Sequence, residues 1–146
     1  MQPDIHVNWL AVLASVISNQ VLGFLWYGPI LGRPWLKEMG FPADMKPAPK
    51  AAIRQMALMI GGSFLTAYCL SYSLNVWRPS IWKIGTDQPD FQYGLMAGFF
   101  TWIGFYVPPM LGSVAFEKKS WKLFAINAGY YLVALQLMGQ ILANWR

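Results

Sequence analysis

Residues 123–145 read LFAINAGYYLVALQLMGQILANW, twenty-three positions without a formal charge. An α-helix needs about 20 predominantly apolar residues to cross a ~30 Å hydrocarbon layer, so this stretch is long enough to span. Three more uncharged stretches precede it, at 5–32, 55–77 and 91–116. All are continuous apolar runs, unlike the ~10-residue alternating segments of a membrane β-barrel. The expected fold is an all-α integral membrane protein, four transmembrane helices in a compact bundle, with spans at about 7–27, 53–77, 91–112 and 121–145.

Composition agrees, with 56% hydrophobic and only 12% charged residues. The connections between the uncharged stretches are 22, 13 and 6 residues long, too short for a soluble domain with its own core. One transmembrane domain over residues 1–146 is expected. The net charge of +5 is unevenly placed. The first and third connections carry eight basic residues (Arg33, Lys37, Lys46, Lys50, Arg54, Lys118, Lys119 and Lys122), against Arg78, Lys83 and Arg146 opposite. The positive-inside rule then puts the eight in the cytoplasm and both termini outside. The basic face suits anionic lipid headgroups, and no nucleic-acid site is supported. Asp4 stands where a signal peptide would be basic, so no cleaved leader is expected. The tryptophans fit four crossings: Trp9, Trp77, Trp82 and Trp145 fall near one interface and Trp26, Trp35 and Trp121 near the other.

Helix 1 is expected to stop at Gly28-Pro29, before a short interfacial helix over 34–40 that Gly40 ends. Pro42, Pro47 and Pro49 keep the chain extended until helix 2 begins near Lys50. Asp87 and Asp90 place negative charge before helix 3, and Ser120 is a good N-cap for helix 4. Pro108 and Pro109 remove amide donors from helix 3, so a kink or break is expected there, roughly 26 Å along the axis from Phe91. A faint repeat pairs Leu74-Asn75-Val76-Trp77-Arg78 with Leu142-Ala143-Asn144-Trp145-Arg146, as two parallel helical hairpins would produce.

Each helix bears a stripe of small or polar residues at spacings of three and four. Helix 1 has Asn8, Ala11, Ser15, Ser18, Asn19 and Gly23; helix 2 has Gly62, Thr66, Cys69 and Ser73. Helix 3 has Gly94, Gly98, Thr101, Pro108 and Gly112; helix 4 has Ala125, Gly129, Gln136, Gln140 and Ala143. Small residues let backbones approach closely, which is how helices associate in lipid. At ~1.5 Å per residue, Asn19, Cys69, Thr101 and Gln136 share a layer about 12–15 Å below the Trp9 interface. That layer reads first as interhelical hydrogen bonding. Its rival reading is a solute path through Asn19, Thr101 and Gln136, joined by Gln20, Asn127 and Gln140.

No formal charge reaches the bilayer centre, which argues against a proton relay or ion-coupled pump. One histidine (His6) and one cysteine (Cys69) leave no metal cluster, and no nucleophile–base pair or phosphate loop appears. No cofactor and no catalytic residue is expected.

The segments Asn8-Trp9-Leu10-Ala11-Val12-Leu13 and Gly23-Phe24-Leu25-Trp26-Tyr27-Gly28-Pro29, with Trp35 and Gly40, resemble a family of small bacterial membrane proteins. Trp102-Ile103-Gly104-Phe105, Phe116-Glu117, residues 121–130, Met138-Gly139 and Trp145 extend the resemblance to nearly the whole chain. The family is catalogued as domain of unknown function 1761; where its members commonly have a histidine, this chain has Tyr131. The resemblance implies four helices in a bacterial inner membrane and brings no activity. The leading expectation is a non-enzymatic protein acting by self-assembly, as a homo-oligomer, or as an accessory subunit of a larger membrane complex. The alternative is an oligomeric channel or carrier for an uncharged or weakly charged solute.

Overall fold

The structure, a computed structural model, describes residues 2–146. Helix α1 (Trp9–Leu25) runs into a π-helical turn, Trp26–Ile30, and then α2 (Gly32–Met39). A long α3 (Pro49–Val76) and a 3₁₀ turn (Pro79–Trp82) lead to α4 (Asp90–Thr101). A second π-helical turn, Trp102–Tyr106, joins α4 to α5 (Val107–Ala115), and α6 (Trp121–Asn144) closes the fold. Four continuous spans result: Trp9–Ile30, Pro49–Val76, Asp90–Ala115 and Trp121–Asn144. The protein is a multi-pass, all-α membrane protein. One end of the bundle holds both termini and the α3–α4 connection (the termini end). The other holds the α2–α3 and α5–α6 connections (the basic end).

α6 is the central helix. It packs against α1, α3, α4 and α5, whereas α3 and α4 touch each other little. Ala11, Val12, Ala67, Leu70, Leu74, Leu135, Met138, Leu142 and Ala143 form the core where α1, α3 and α6 meet.

The closest crossing is α4 on α6. A Cβ on Gly94 would lie 2.8 Å from the Gly139 carbonyl oxygen, and one on Gly139 would lie 2.6 Å from that of Gly94. One turn on, a Cβ on Gly98 would meet the Leu135 carbonyl oxygen at 2.9 Å. Gln140 donates to the Phe91 carbonyl (2.9 Å) and Gln136 to the Leu95 carbonyl (3.1 Å). Glycines and glutamines thus alternate along one antiparallel seam.

Local signals explain most boundaries. Asn8 caps α1 by accepting from Leu10 and Ala11, and Ser120 caps α6 by accepting from the Leu123 N–H at 3.1 Å. Gly40 ends α2 in the left-handed region, at φ 75°. Glu38 accepts from the Ser120 hydroxyl at 2.6 Å, tying α2 to the start of α6.

Four expectations need correction. Helix 1 does not stop at Gly28-Pro29: Pro29 lies inside the π turn, where the Leu31 N–H reaches back to the Trp26 carbonyl at 2.8 Å. Helix 3 is interrupted one turn ahead of Pro108 and Pro109. The missing proline donors orphan carbonyls in the preceding turn, which widens to Trp102–Tyr106 while the prolines sit in the first turns of α5. The stripe in helix 2 is rotated away from the packed face. Ser63, Ala67, Leu70, Ser71 and Leu74 are buried, and Gly62 and Cys69 are exposed. In helix 4, Ala125 is likewise exposed, and Gly139 is the glycine that α4 meets.

Gly139→Leu should destabilise the bundle by about 3 kcal/mol or more, because backbone on both sides leaves the side chain no room. Gly61→Leu, where nothing lies within 4 Å of the added Cβ, should be nearly neutral. Thermal unfolding in detergent, followed by circular dichroism, compares the two.

Candidate functional site

The polar residues do not converge on one central path. Asn19 and Gln20 of α1 both donate to the Ser63 hydroxyl of α3, at 2.5 and 3.0 Å. Asn19 also accepts from the Tyr130 hydroxyl of α6 at 2.6 Å, so its side chain joins three helices. Asn127 accepts from the Tyr27 hydroxyl at 2.7 Å, nearer the basic end. Gln136 and Gln140 are engaged in the α4–α6 seam. Ser15 is fully buried and bonds back to the Ala11 carbonyl. Gly129 lies against the Trp26 ring.

Thr101 and Cys69 lie elsewhere, in a groove between α3 and the α4–α5 leg. The part farther from the termini end has a volume of about 400 Å³, lined by Leu65, Thr66, Cys69, Leu70, Phe105 and Tyr106, with Ser73 and Thr101 also in its wall. Ser73 and Thr101 also border the part toward the termini end, about 660 Å³, where Trp77, Gln88, Gln92, Tyr93, Met96 and Phe100 form the walls. The groove exists because α3 and α4 both pack on α6 and diverge from each other. Its lining is mostly apolar and aromatic. Thr66 is paired with the Tyr106 hydroxyl at 3.0 Å. The hydroxyls of Ser73 and Thr101 and the amides of Gln88 and Gln92 have no hydrogen-bond partner among the described residues.

At the termini end lies a charged cluster. Arg78, just past α3, has a side chain only 1% exposed. Its guanidinium donates to Asp90 Oδ1 at 2.6 Å and to the Ala143 carbonyl at 3.0 Å, and lies 4.5 Å over the Tyr93 ring. Asp87 is 3.7 Å from Arg78 and 3.5 Å from Arg146, and accepts from the Ser80 N–H and hydroxyl at 2.8 and 2.6 Å. Burial raises the Asp87 pKa, but these hydrogen bonds and the two guanidinium charges outweigh it and hold the carboxyl below its ordinary range. The sequence counts Arg78 only as one of three basic residues opposite the basic face, and its burial was not anticipated. The signal lay in the repeat: Arg78 and Arg146 end equivalent Leu-x-x-Trp-Arg segments, and both reach the same two aspartates.

Among the described residues, no group of three or more His, Cys, Asp or Glu side chains lies close enough to hold a metal ion. His6 pairs with Asp4 at 2.9 Å in the exposed N-terminal segment, while Glu117 lies in the connection at the basic end.

Removing Arg78 leaves Asp87 and Asp90 with the half-exposed Arg146 as their remaining cation. Arg78→Met should cost about 2–3 kcal/mol, less than a fully buried pair because Asp90 is partly solvated. The folded-state pKa of Asp87 is lowered, so its stabilisation is fully present above the ordinary value of 3.8 and is lost as pH falls through the lower folded value. Unfolding measured from pH 6 downward should show that acid limb, and Asp87→Asn should flatten it.

No curated protein and no solved structure matches the chain. Residues 10–143 match a family described as protein of unknown function (DUF1761). The extent of that match, nearly the whole chain, makes this chain a member of the DUF1761 family.

Proposed function

We propose that the protein is a non-enzymatic integral membrane protein that acts by association, as a homo-oligomer or as an accessory subunit of a larger membrane complex. The observation that carries this reading is a division among its glycines. Gly94, Gly98 and Gly139 are needed where α4 crosses α6. Gly61 and Gly62 of α3, Gly104 in the second π turn and Gly112 of α5 meet nothing within 4 Å. A glycine inside a helix costs roughly 0.5–1 kcal/mol relative to alanine, and a partner helix at close approach would repay it. Both legs that carry these glycines expose large apolar side chains, among them Ile53, Leu58 and Phe116.

The channel or carrier reading has less support. Asn19, Gln20, Asn127, Gln136 and Gln140 hydrogen-bond to other helices, which leaves them little capacity to line a path. The charge asymmetry supports the basic end facing the cytoplasm of a bacterial inner membrane, both termini outside, with anionic headgroups against Lys37, Lys46, Lys50 and Lys122.

Native mass spectrometry in mild detergent should find an oligomer or a co-purifying membrane protein. Gly62→Leu should weaken that association about tenfold or more, the equivalent of 1.4 kcal/mol, with unfolding temperature unchanged. A monomer alone, insensitive to Gly62→Leu, would sink the reading. Cysteine introduced at Asn19 or Gln136 should resist water-soluble thiol reagents from both sides; ready labelling would favour the conducting alternative.

A further inference from the structure

We infer that the groove between α3 and the α4–α5 leg is a binding site for one acyl chain of a zwitterionic membrane lipid, its headgroup held at the termini end. The groove opens sideways, where two spans diverge over a third, so it faces the hydrocarbon region and not water. Its larger part, about 660 Å³, falls within the size range of small-molecule sites and has their character: aromatic and aliphatic walls with a few placed polar groups. From Trp77 to Leu65 the α3 wall runs twelve residues, ~18 Å along the axis, the reach of one acyl chain from the interface toward mid-membrane.

The polar groups specify more than a greasy slot. In the rest of the bundle, Asn19, Gln20, Asn127, Gln136 and Gln140 are tied to other helices. The groove instead keeps Gln88 and Gln92 at its mouth and Ser73 and Thr101 at its waist without partners among the described residues. Gln88 and Gln92 are exposed at the termini end, so both amides are free to bond a ligand there. Each amide offers both donor and acceptor, matching the ester and phosphodiester groups of a lipid. Charge selects among headgroups. Beside the mouth, Arg78 and Arg146 are balanced by Asp87 and Asp90, and Arg78 is screened by the Tyr93 ring that forms part of the wall. That balance suits a headgroup without net charge and gives no advantage to an anionic one. The inference holds whether or not copies of the protein associate through surfaces outside the groove.

The test uses the full chain in phosphatidylethanolamine-containing nanodiscs, with a phosphatidylethanolamine bearing a diazirine in one acyl chain as probe. Photolysis and peptide mapping should place adducts at 65–74 and 96–105, at several times the yield found at exposed Phe24. Excess unlabelled phosphatidylethanolamine should remove them, and phosphatidylglycerol should compete several-fold less well. Met96→Trp, on the exposed rim where folding is not at stake, should lower groove adducts several-fold and leave those at Phe24 unchanged. Adducts spread evenly over all exposed apolar residues would overturn the inference, as would preferential competition by phosphatidylglycerol. High-yield oxidative crosslinking between copies at Cys69, the thiol that lines the groove, would also overturn it, because a second copy would then fill the space.

Discussion

The backbone-to-backbone crossing of α4 and α6 is the constraint on which the other contacts depend. Lipid tails are as apolar as leucine, so burying apolar surface gives these helices little reason to associate; close approach and hydrogen bonding must do it. Gly94 faces Gly139 and Gly98 faces Leu135 at the closest distances in the bundle, and Gln140 and Gln136 add hydrogen bonds to α4 carbonyls on the neighbouring rungs. The next rung toward the termini end pairs Asp90 with Ala143, and Arg78 binds both. The end of α3 is thereby strapped across a seam that already exists. Widening the seam by one side chain would move the carboxylate and the carbonyl apart and leave the guanidinium without its geometry.

Polar side chains in this fold fall into groups with different fates. Asn19, at the junction of α1, α3 and α6, donates one N–H to Ser63 and accepts from Tyr130, which ties its side chain to both neighbouring helices. The glutamines of α6 are aimed at backbone rather than at each other. Ser73, Thr101, Gln88 and Gln92 differ in facing a space that no part of the chain fills. A depth argument from sequence put Asn19, Cys69, Thr101 and Gln136 in one layer. Depth alone does not say which way a side chain points, and their azimuths separate them into three places.

The same distinction sets how much was legible beforehand. Spans follow from a one-dimensional quantity, the run of uncharged residues, and all four were readable, as were the Ser120 cap, the Gly40 stop and the short helix before it. Gly94 and Gly98 stood out because a four-residue glycine spacing has few uses in a membrane. Gly139 did not, because it sits one position from Gln140 and outside the stripe drawn through it. The packed face of α3 was misassigned for a related reason. Small residues occur on two of its faces, and only Ser63, Leu70 and Leu74 together, a hydrogen-bond hub and two core leucines, mark the inward one. Arg78 was hidden by its position at a span end, where an exposed basic residue is the ordinary case.

The paired π turns have a mechanical consequence. Each begins with a tryptophan whose indole N–H donates to α6: Trp26 to the Ile126 carbonyl at 3.0 Å and Trp102 to the Ala128 carbonyl at 2.8 Å. Two weakened points, one in each odd-numbered span, are therefore splinted to the same turn of one unbroken rod. Each indole fixes where its span rests on α6, and the course of the chain beyond it is set at the joint. Phe105 and Tyr106 belong to the second joint and to the groove wall at once, so a load on α5 is carried to that wall and, through Trp102, to the turn of α6 that also holds Trp26.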